Sequence, residues 1–438
     1  MRLEKLIRKL ENNKRKQMPL EGKLDKLKII GITGSRGKST TAYFIHNYLK
    51  KMGYKSALYS SIMIDSPKSR FKNQEAMENP LYDDDMLLDA IKSSVNNDCD
   101  FLVLEVNERA ISKGIVNDIE FDVRLLTNVI PDDNSIFGDY IKLKKSFIET
   151  SDNSIKIVAV LDDVTRDLYQ HHPNIVTVCT EHLRDHKLSK DCNIDYLLKP
   201  SEKIYSTING LDFLISDQKN KILRECRSNM LFPFHGLNIV CAYAVLNELG
   251  IDLKAFERFI KNIEVPGRDE VIEYKNNKII VTPNLVPHLE HLKAYKDRKE
   301  INKIYLVTGS TGYDFVTWDD EFKTEAYKKA HEYDIKFAYD YLAKYVDKVF
   351  ITKTDIGGVN AEDFLNYQAS LLTGKVEYEI VSNRKKALIN AIKELSNNDV
   401  LLVSGRGNRE VMCITKNKIV KFKDKDEILK IVKGEKYV

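Results

Sequence analysis

A chain of 438 residues with 43% apolar and 31% charged side chains is long and apolar enough for about two or three packed domains, which excludes a disordered chain. A net charge of +4 gives no basic footprint for nucleic acid, and no apolar run approaches a membrane span or a signal-peptide core. Six scattered cysteines without a CxxC pair exclude the usual zinc and disulfide patterns and fit reduced thiols in a cytoplasm.

Residues 1–27 read as one basic amphipathic helix. Leu3, Leu6, Ile7 and Leu10 share one face, and Arg2, Lys5, Arg8 and Lys9 line the solvated one. The apolar run at Ile29, Ile30 and Ile32 then leads into Gly34-Ser35-Arg36-Gly37-Lys38-Ser39-Thr40, and a helical pattern follows at Tyr43, Phe44, Tyr48 and Leu49. Strand, glycine turn and helix form the context of a phosphate-binding loop. Glycines let backbone N–H groups curl round phosphate oxygens, while the helix N-terminus adds positive potential. Lys38 is placed for β/γ-phosphates and Ser39 for Mg2+. Gly31 stands one residue too early for the common GxxxxGK[ST] spacing, so the loop is a shortened variant.

Further along, buried strands are expected at 101–106, 122–129, 156–163, 303–310, 348–355 and 399–407. Amphipathic helices are expected at 83–95, 319–333, 360–372 and 383–395. This alternation predicts α/β architecture with mostly parallel sheets. Residues 173–230 are richer in short β pieces and predict an antiparallel insertion or side sheet. Pro266–Gly267 marks a hinge. The strand at 101–106 carries Glu105 at its carboxyl end, the edge where open α/β sheets bind ligands, and a carboxylate there suits Mg2+. Thr127, Asn128, Asp132 and Asp133 follow the next strand, and Lys144 and Lys145 lie on the helix after it.

These segments, taken in order, resemble the Mur ligase superfamily, the ATP-dependent amide-bond ligases of peptidoglycan assembly and their relatives. The resemblance rests on GITGSRGKSTT, LEVNERAISKGIVNDIEFDVRLLTNVIPDD, VAVLDDV, HGLNIVCAYAVLNELGI, VPGRDEVIE and DVLLVSGRGNRE, which span nearly everything from residue 28 onward. In spacing the chain is most similar to the ligase that adds the third residue to the muropeptide. That ligase's EVSSHAL segment falls on Glu105–Ile111, and its tyrosine-x-x-x-lysine falls on Tyr140 and Lys144.

The resemblance implies a P-loop ATPase domain at 28–264 and a Rossmann-like α/β domain at 265–438, with the helix 1–27 before them. It implies that Gly34–Thr40 bind ATP, with Asn238 at the adenine and Arg268 reaching the nucleotide on closure. Ser39, Glu105, Asp133 and Lys144 would hold two Mg2+ ions, Lys144 as a carbamate formed with CO2 and Lys145 as the alternative. Asp133 stands where the family carries a histidine. Asp355, Arg406 and Glu410 become candidates for holding an amino acid.

The reaction implied is activation of a small-molecule carboxylate as an acyl phosphate, followed by capture by an amino-acid amine. Two departures qualify it. Only residues 1–27 precede the loop, so a UDP-sugar domain is not expected, as in folylpolyglutamate and poly-γ-glutamate synthetases. The family's DYAH and DNPR motifs fall on Thr282–Leu285 and Asp355–Gly358, and the lost arginine removes the bidentate partner for diaminopimelate. The alternatives are therefore a poly-γ-glutamate-synthetase-like ligase, or a nucleotide-binding subunit active only with a partner protein.

Overall fold

The isoleucine run after Lys28 becomes β1 (Lys28–Thr33), whose residues beyond Lys28 are all buried. A strand covered on both faces reads as a continuous apolar run rather than an alternating one. The computed structural model describes residues 26–66, 69–71, 84–130, 139–172, 174–181, 192–201, 205–312, 325–415 and 418–434. The expected helix at 1–27 lies almost wholly outside the described residues, and so does Asp133. The chain divides into two compact units between Ile263 and Glu264, where the sequence suggests a boundary at 264/265.

The first unit is built on one large sheet. In chain order its strands are β1, β2 (Ser56–Tyr59), β3 (Ile64–Ser66), β4 (Ser69–Phe71), β5 (Phe101–Glu105), β6 (Val123–Leu126), β7 (Ile155–Ala159), β8 (Val176–Thr180), β9 (Tyr196–Pro200), β10 (Ser206–Thr207), β11 (Gly210–Asp217) and β12 (Ile222–Ser228). Their spatial order is β10-β11-β9-β8-β7-β6-β1-β5-β2-β3-β4, with β12 on β11. The strands from β2 through β9 that surround β1 pair in parallel. The β-rich stretch at 173–230 supplies the expected antiparallel strands, joined to the main sheet. β9 pairs in parallel with β8 and antiparallel with β11, so the antiparallel part extends the main sheet at its edge.

Glycine, small and β-branched residues put β1 at the centre, where β5 and β6 flank it. Helix Lys38–Lys51 leaves β1 through the glycine turn and is buried along most of its length. It packs on helix Pro233–Glu248, which is apolar all round, as a helix enclosed on every side must be. Tyr48 anchors it further: the hydroxyl donates to the Asp252 carbonyl (2.8 Å), and the ring meets Phe256 and Phe259 edge-on.

The second unit holds a six-stranded sheet of β13 (Glu270–Tyr274), β14 (Asn277–Val281), β15 (Ile304–Thr308), β16 (Lys348–Ile351), β17 (Glu377–Ile380) and β18 (Val400–Val403). Its order is β13-β14-β18-β15-β16-β17, parallel except for the β13–β14 hairpin. A small hairpin, β19 (Val411–Thr415) and β20 (Lys418–Lys421), follows. The expected strand and helix positions all match elements within a few residues, except that the helix read at 319–333 is described as Glu325–Leu342. Val265-Pro266-Gly267-Arg268 closes a tight turn. The Arg268 N–H donates to the Val265 carbonyl (3.0 Å), and Gly267 sits at φ 68°. That is the type II arrangement, with proline preset at the second position and glycine at the left-handed third.

Candidate active site

The glycine turn after β1 is shaped by what it must pass. Gly34 (φ 143°) runs so close to Thr127 that a Cβ would lie 2.1 Å from its hydroxyl. Gly37 (φ 83°) begins the helix with Asn238 against it, and a Cβ there would lie 2.3 Å from Asn238 Oδ1. Thr127 and Asn128, just past β6, hold the turn from the other side. Their side chains donate to the Arg36 carbonyl (2.6 and 2.9 Å), and the Arg36 N–H returns a bond to Asn128 Oδ1 (2.9 Å). The Ser35 N–H donates to the Asn128 carbonyl (3.1 Å). The loop is therefore preformed by strand β6 and not by its own glycines alone. Lys38 folds over it, donating to the carbonyls of Gly34 (2.8 Å) and Ser35 (3.4 Å).

Glu105, at the end of β5, is 4% exposed and points at the start of the helix. One oxygen accepts from the Ser39 hydroxyl (2.9 Å), and the other from the Ser61 N–H (2.8 Å). The two serine hydroxyls meet at 2.9 Å. Ser61, in the turn between β2 and β3, is a residue the sequence reading missed. Its signal was only a serine pair after a four-residue strand. A buried clamp places that turn: His46, inside the loop's own helix, bonds Ser56 (2.9 Å) and Asp65 (3.1 Å), and Asp65 also receives Lys50 (3.0 Å).

Lys144 comes from helix Tyr140–Glu149. Asp139 caps that helix by accepting from the Lys142 N–H (2.9 Å), and Lys144, Phe147 and Ile148 form its buried face at i, i+3, i+4 spacing. Lys144 is 0% exposed and donates to Glu108 Oε2 (3.0 Å) and to Thr33 Oγ1 at the end of β1 (3.4 Å). Lys145 turns away and pairs with Asp167 and Glu149. Burial, aided by the Lys38 charge and opposed by Glu108 and Glu105, pushes the Lys144 ammonium down to about 8. Glu108 itself is raised by burial, but the Lys144 and Lys38 charges outweigh that and hold it below the usual carboxylate range.

Lys38, Ser39, Glu105 and Lys144 thus gather at one edge, the carboxyl ends of β1 and β5. Hard oxygens from Ser39 and Glu105 suit Mg2+, which takes few protein ligands and fills the rest of its shell with water and phosphate. Among the described residues no group of three or more His, Cys, Asp or Glu side chains is placed to hold a metal ion.

In the second unit Asp355 and Arg406 meet each other. The Arg406 guanidinium donates to Asp355 Oδ2 (2.9 Å), as does Arg409 (2.8 Å), and the Cys413 N–H takes Oδ1 (2.8 Å). Arg406 also reaches the carbonyls of Val411 and Phe422 (2.6 and 3.1 Å). Asp355 and Arg406 are both 1% exposed, so as placed they tie the segment around Glu410 to the end of β16. Arg268 is half-buried at its turn, and its guanidinium donates to the Gly267 carbonyl (3.3 Å).

A glycine loop on a parallel sheet with a carboxylate at the next strand end is the arrangement of a P-loop nucleotide-binding protein. Residues 32–246 match the family model for the Mur ligase middle domain, and the chain belongs to the Mur ligase superfamily. It is 24% identical over 404 residues to a UDP-N-acetylmuramyl-tripeptide synthetase of Lactobacillus delbrueckii subsp. bulgaricus, covering 87% of this chain and 74% of that one. Its fold is similar to that of the MurF ligase from Thermotoga maritima in complex with ADP. There the TM-score is 0.62 and identity 18%, over 99% of this chain and 83% of that one. It is also similar to E. coli FolC in complex with ADP (TM-score 0.58, identity 15%, 87% of each chain). Among the described residues no helix is long and apolar enough to cross a membrane.

Proposed function

We propose that this chain is an ATP-dependent carboxylate–amine ligase that forms ADP. The observation that carries the reading is the single cluster in which Lys38, Ser39, Glu105 and Lys144 meet at the carboxyl edge of the first sheet. Backbone N–H groups of residues 37–40, at the start of the helix, cradle the ATP phosphates, and Lys38 leaves its two loop carbonyls for the transferring phosphoryl group. A substrate carboxylate attacks the γ-phosphorus and ADP leaves. The amine of an amino acid then attacks the acyl carbon, expels phosphate and forms the amide. Magnesium ions, bound when present by Ser39, Glu105 and the Lys144 region, supply neutralisation of phosphate charge.

Lys144 is read here as a carbamate. A neutral amine adds CO2, so complete burial and a pKa brought to about 8 favour that chemistry. The sign of the pH effect follows. At a fixed dissolved CO2 concentration a higher pH raises the neutral amine and draws off the proton that carbamate formation releases, so turnover should rise from pH 7 to pH 8. A rate that is flat or falling across that range, measured by coupled ADP release, contradicts the carbamate.

The amine is not read as diaminopimelate. The position that would supply its arginine is Gly358, and Asp355 is engaged with Arg406 and Arg409. The same engagement favours a second reading, in which a partner protein completes the amine site. Free thiols at all six cysteines and the proposed use of ATP support a cytoplasmic setting. The reading is tested by phosphate release from ATP with pooled carboxylates and amino acids. Release should require both pools, and release indifferent to the amine would leave a simple ATPase.

A further inference from the structure

We propose that Glu108 is a magnesium ligand of this site, a carboxylate that the phosphate-loop pattern does not announce. The inference rests on the ligase reading and adds a residue to it. Glu108 opens the short helix Glu108–Ser112, immediately after the β5 edge that carries Glu105. Asn107 fixes that start by accepting from the Ala110 N–H (2.8 Å). The Glu108 carboxylate is thereby held 3.0 Å from Lys144 Nζ. Its side chain is 33% exposed whereas Lys144 is fully enclosed, so of the two only Glu108 is open to an ion arriving from solvent. Lys144 also interacts with Glu105, and Glu108 with Lys38, so two carboxylates and two ammonium groups occupy one small region.

Charge balance supplies the rest. Among the described residues Lys144 is the cation that forms an ion pair with Glu108. A carbamate on Lys144 replaces that cation with an anion at the same place. The step is R–NH2 + CO2 → R–NH–COO− + H+, with the proton leaving to solvent. Two adjacent anions repel, and the species that reconciles them is a divalent cation bound by both. Glu108 brings the hard oxygens Mg2+ selects. The EVSSHAL segment of the family has serine at this position, so the carboxylate is a departure of this chain. A purely structural Glu108–Lys144 pair is the competing account, and it gives Glu108 no influence on metal binding.

The test counts Mn2+ ions bound to the full chain in the presence of ADP and bicarbonate, by electron paramagnetic resonance titration, without turnover. The wild type should bind two ions. Glu108→Gln, which keeps the size and the contact to Lys144, should keep one at wild-type affinity and bind the second at least tenfold more weakly. Glu108→Asp should restore part of that loss. Unchanged ADP affinity and melting temperature in Glu108→Gln would show that the fold is intact. Two ions bound by Glu108→Gln at wild-type affinity, or only one by the wild type, would overturn the proposal. Failure of the ligase reading shows itself elsewhere, as wild-type phosphate release that ignores the amine.

Discussion

Replacing Lys144 with alanine is expected to lower turnover by at least about a thousandfold while leaving ADP affinity within about threefold of wild type. The magnitude follows from what charged groups at a transferring phosphoryl contribute, about 10³–10⁵ in rate when one is removed. The split follows from position. Lys144 touches Glu108 and Thr33, whereas the phosphate loop is built by Gly34, Gly37, Thr127 and Asn128. Because Glu108 is partly open, losing its partner should not unfold the first unit. Acetate or a longer monocarboxylate should restore part of the rate by placing two oxygens in the vacated space. Steady-state kinetics and ADP calorimetry on the same preparation read both halves. Full activity in the variant would remove Lys144 from the chemistry.

The second large effect concerns stability. Arg384 and Asp424 are both 0% exposed and joined by two hydrogen bonds (2.7 and 2.8 Å), and Arg384 also donates to the Ser404 carbonyl (2.9 Å). Removing one partner of a buried pair costs about 3–5 kcal/mol because the remaining charge has no solvent and no counter-ion. Asp424→Ala should therefore destabilise the second unit by that amount. Two units need not unfold together, so one melting temperature is a poor readout. Hydrogen exchange resolves them: protection should fall across 264–438 and persist in 26–263. The effect reaches the amino-acid candidates, since Ser404 leads directly into Gly405 and Arg406. A cost below about 1 kcal/mol would show that the pair is dispensable.

Much of the site was readable because its residues sit where period and turn chemistry change. Glu105 closes an uninterrupted apolar strand, Lys38 follows a glycine turn, and both features survive in a single sequence. Lys144 was reached through resemblance. Its place on the buried face becomes visible only with Phe147 and Ile148 beside it at helical spacing. Ser61 was not legible, because β2 is four residues long and its burial comes from pairing with β5 and β3. The 173–230 stretch was legible as antiparallel pieces, but its continuity with the main sheet was not. Whether β9 continues the main sheet depends on its pairing with β8, which no local pattern encodes. Asp355 and Arg406 show the opposite difficulty. They are charged residues after strand ends, as a ligand site would have, yet they neutralise each other in the interior.

The central claim is that a carboxylate oxygen, not water, takes the γ-phosphoryl group of ATP. It is tested by running amine-dependent turnover in H2(18)O and weighing the inorganic phosphate by mass spectrometry. Capture by a carboxylate, then displacement by an amine, yields phosphate without solvent label. Phosphate carrying one 18O per turnover would mean hydrolysis, and the ligase account would be wrong.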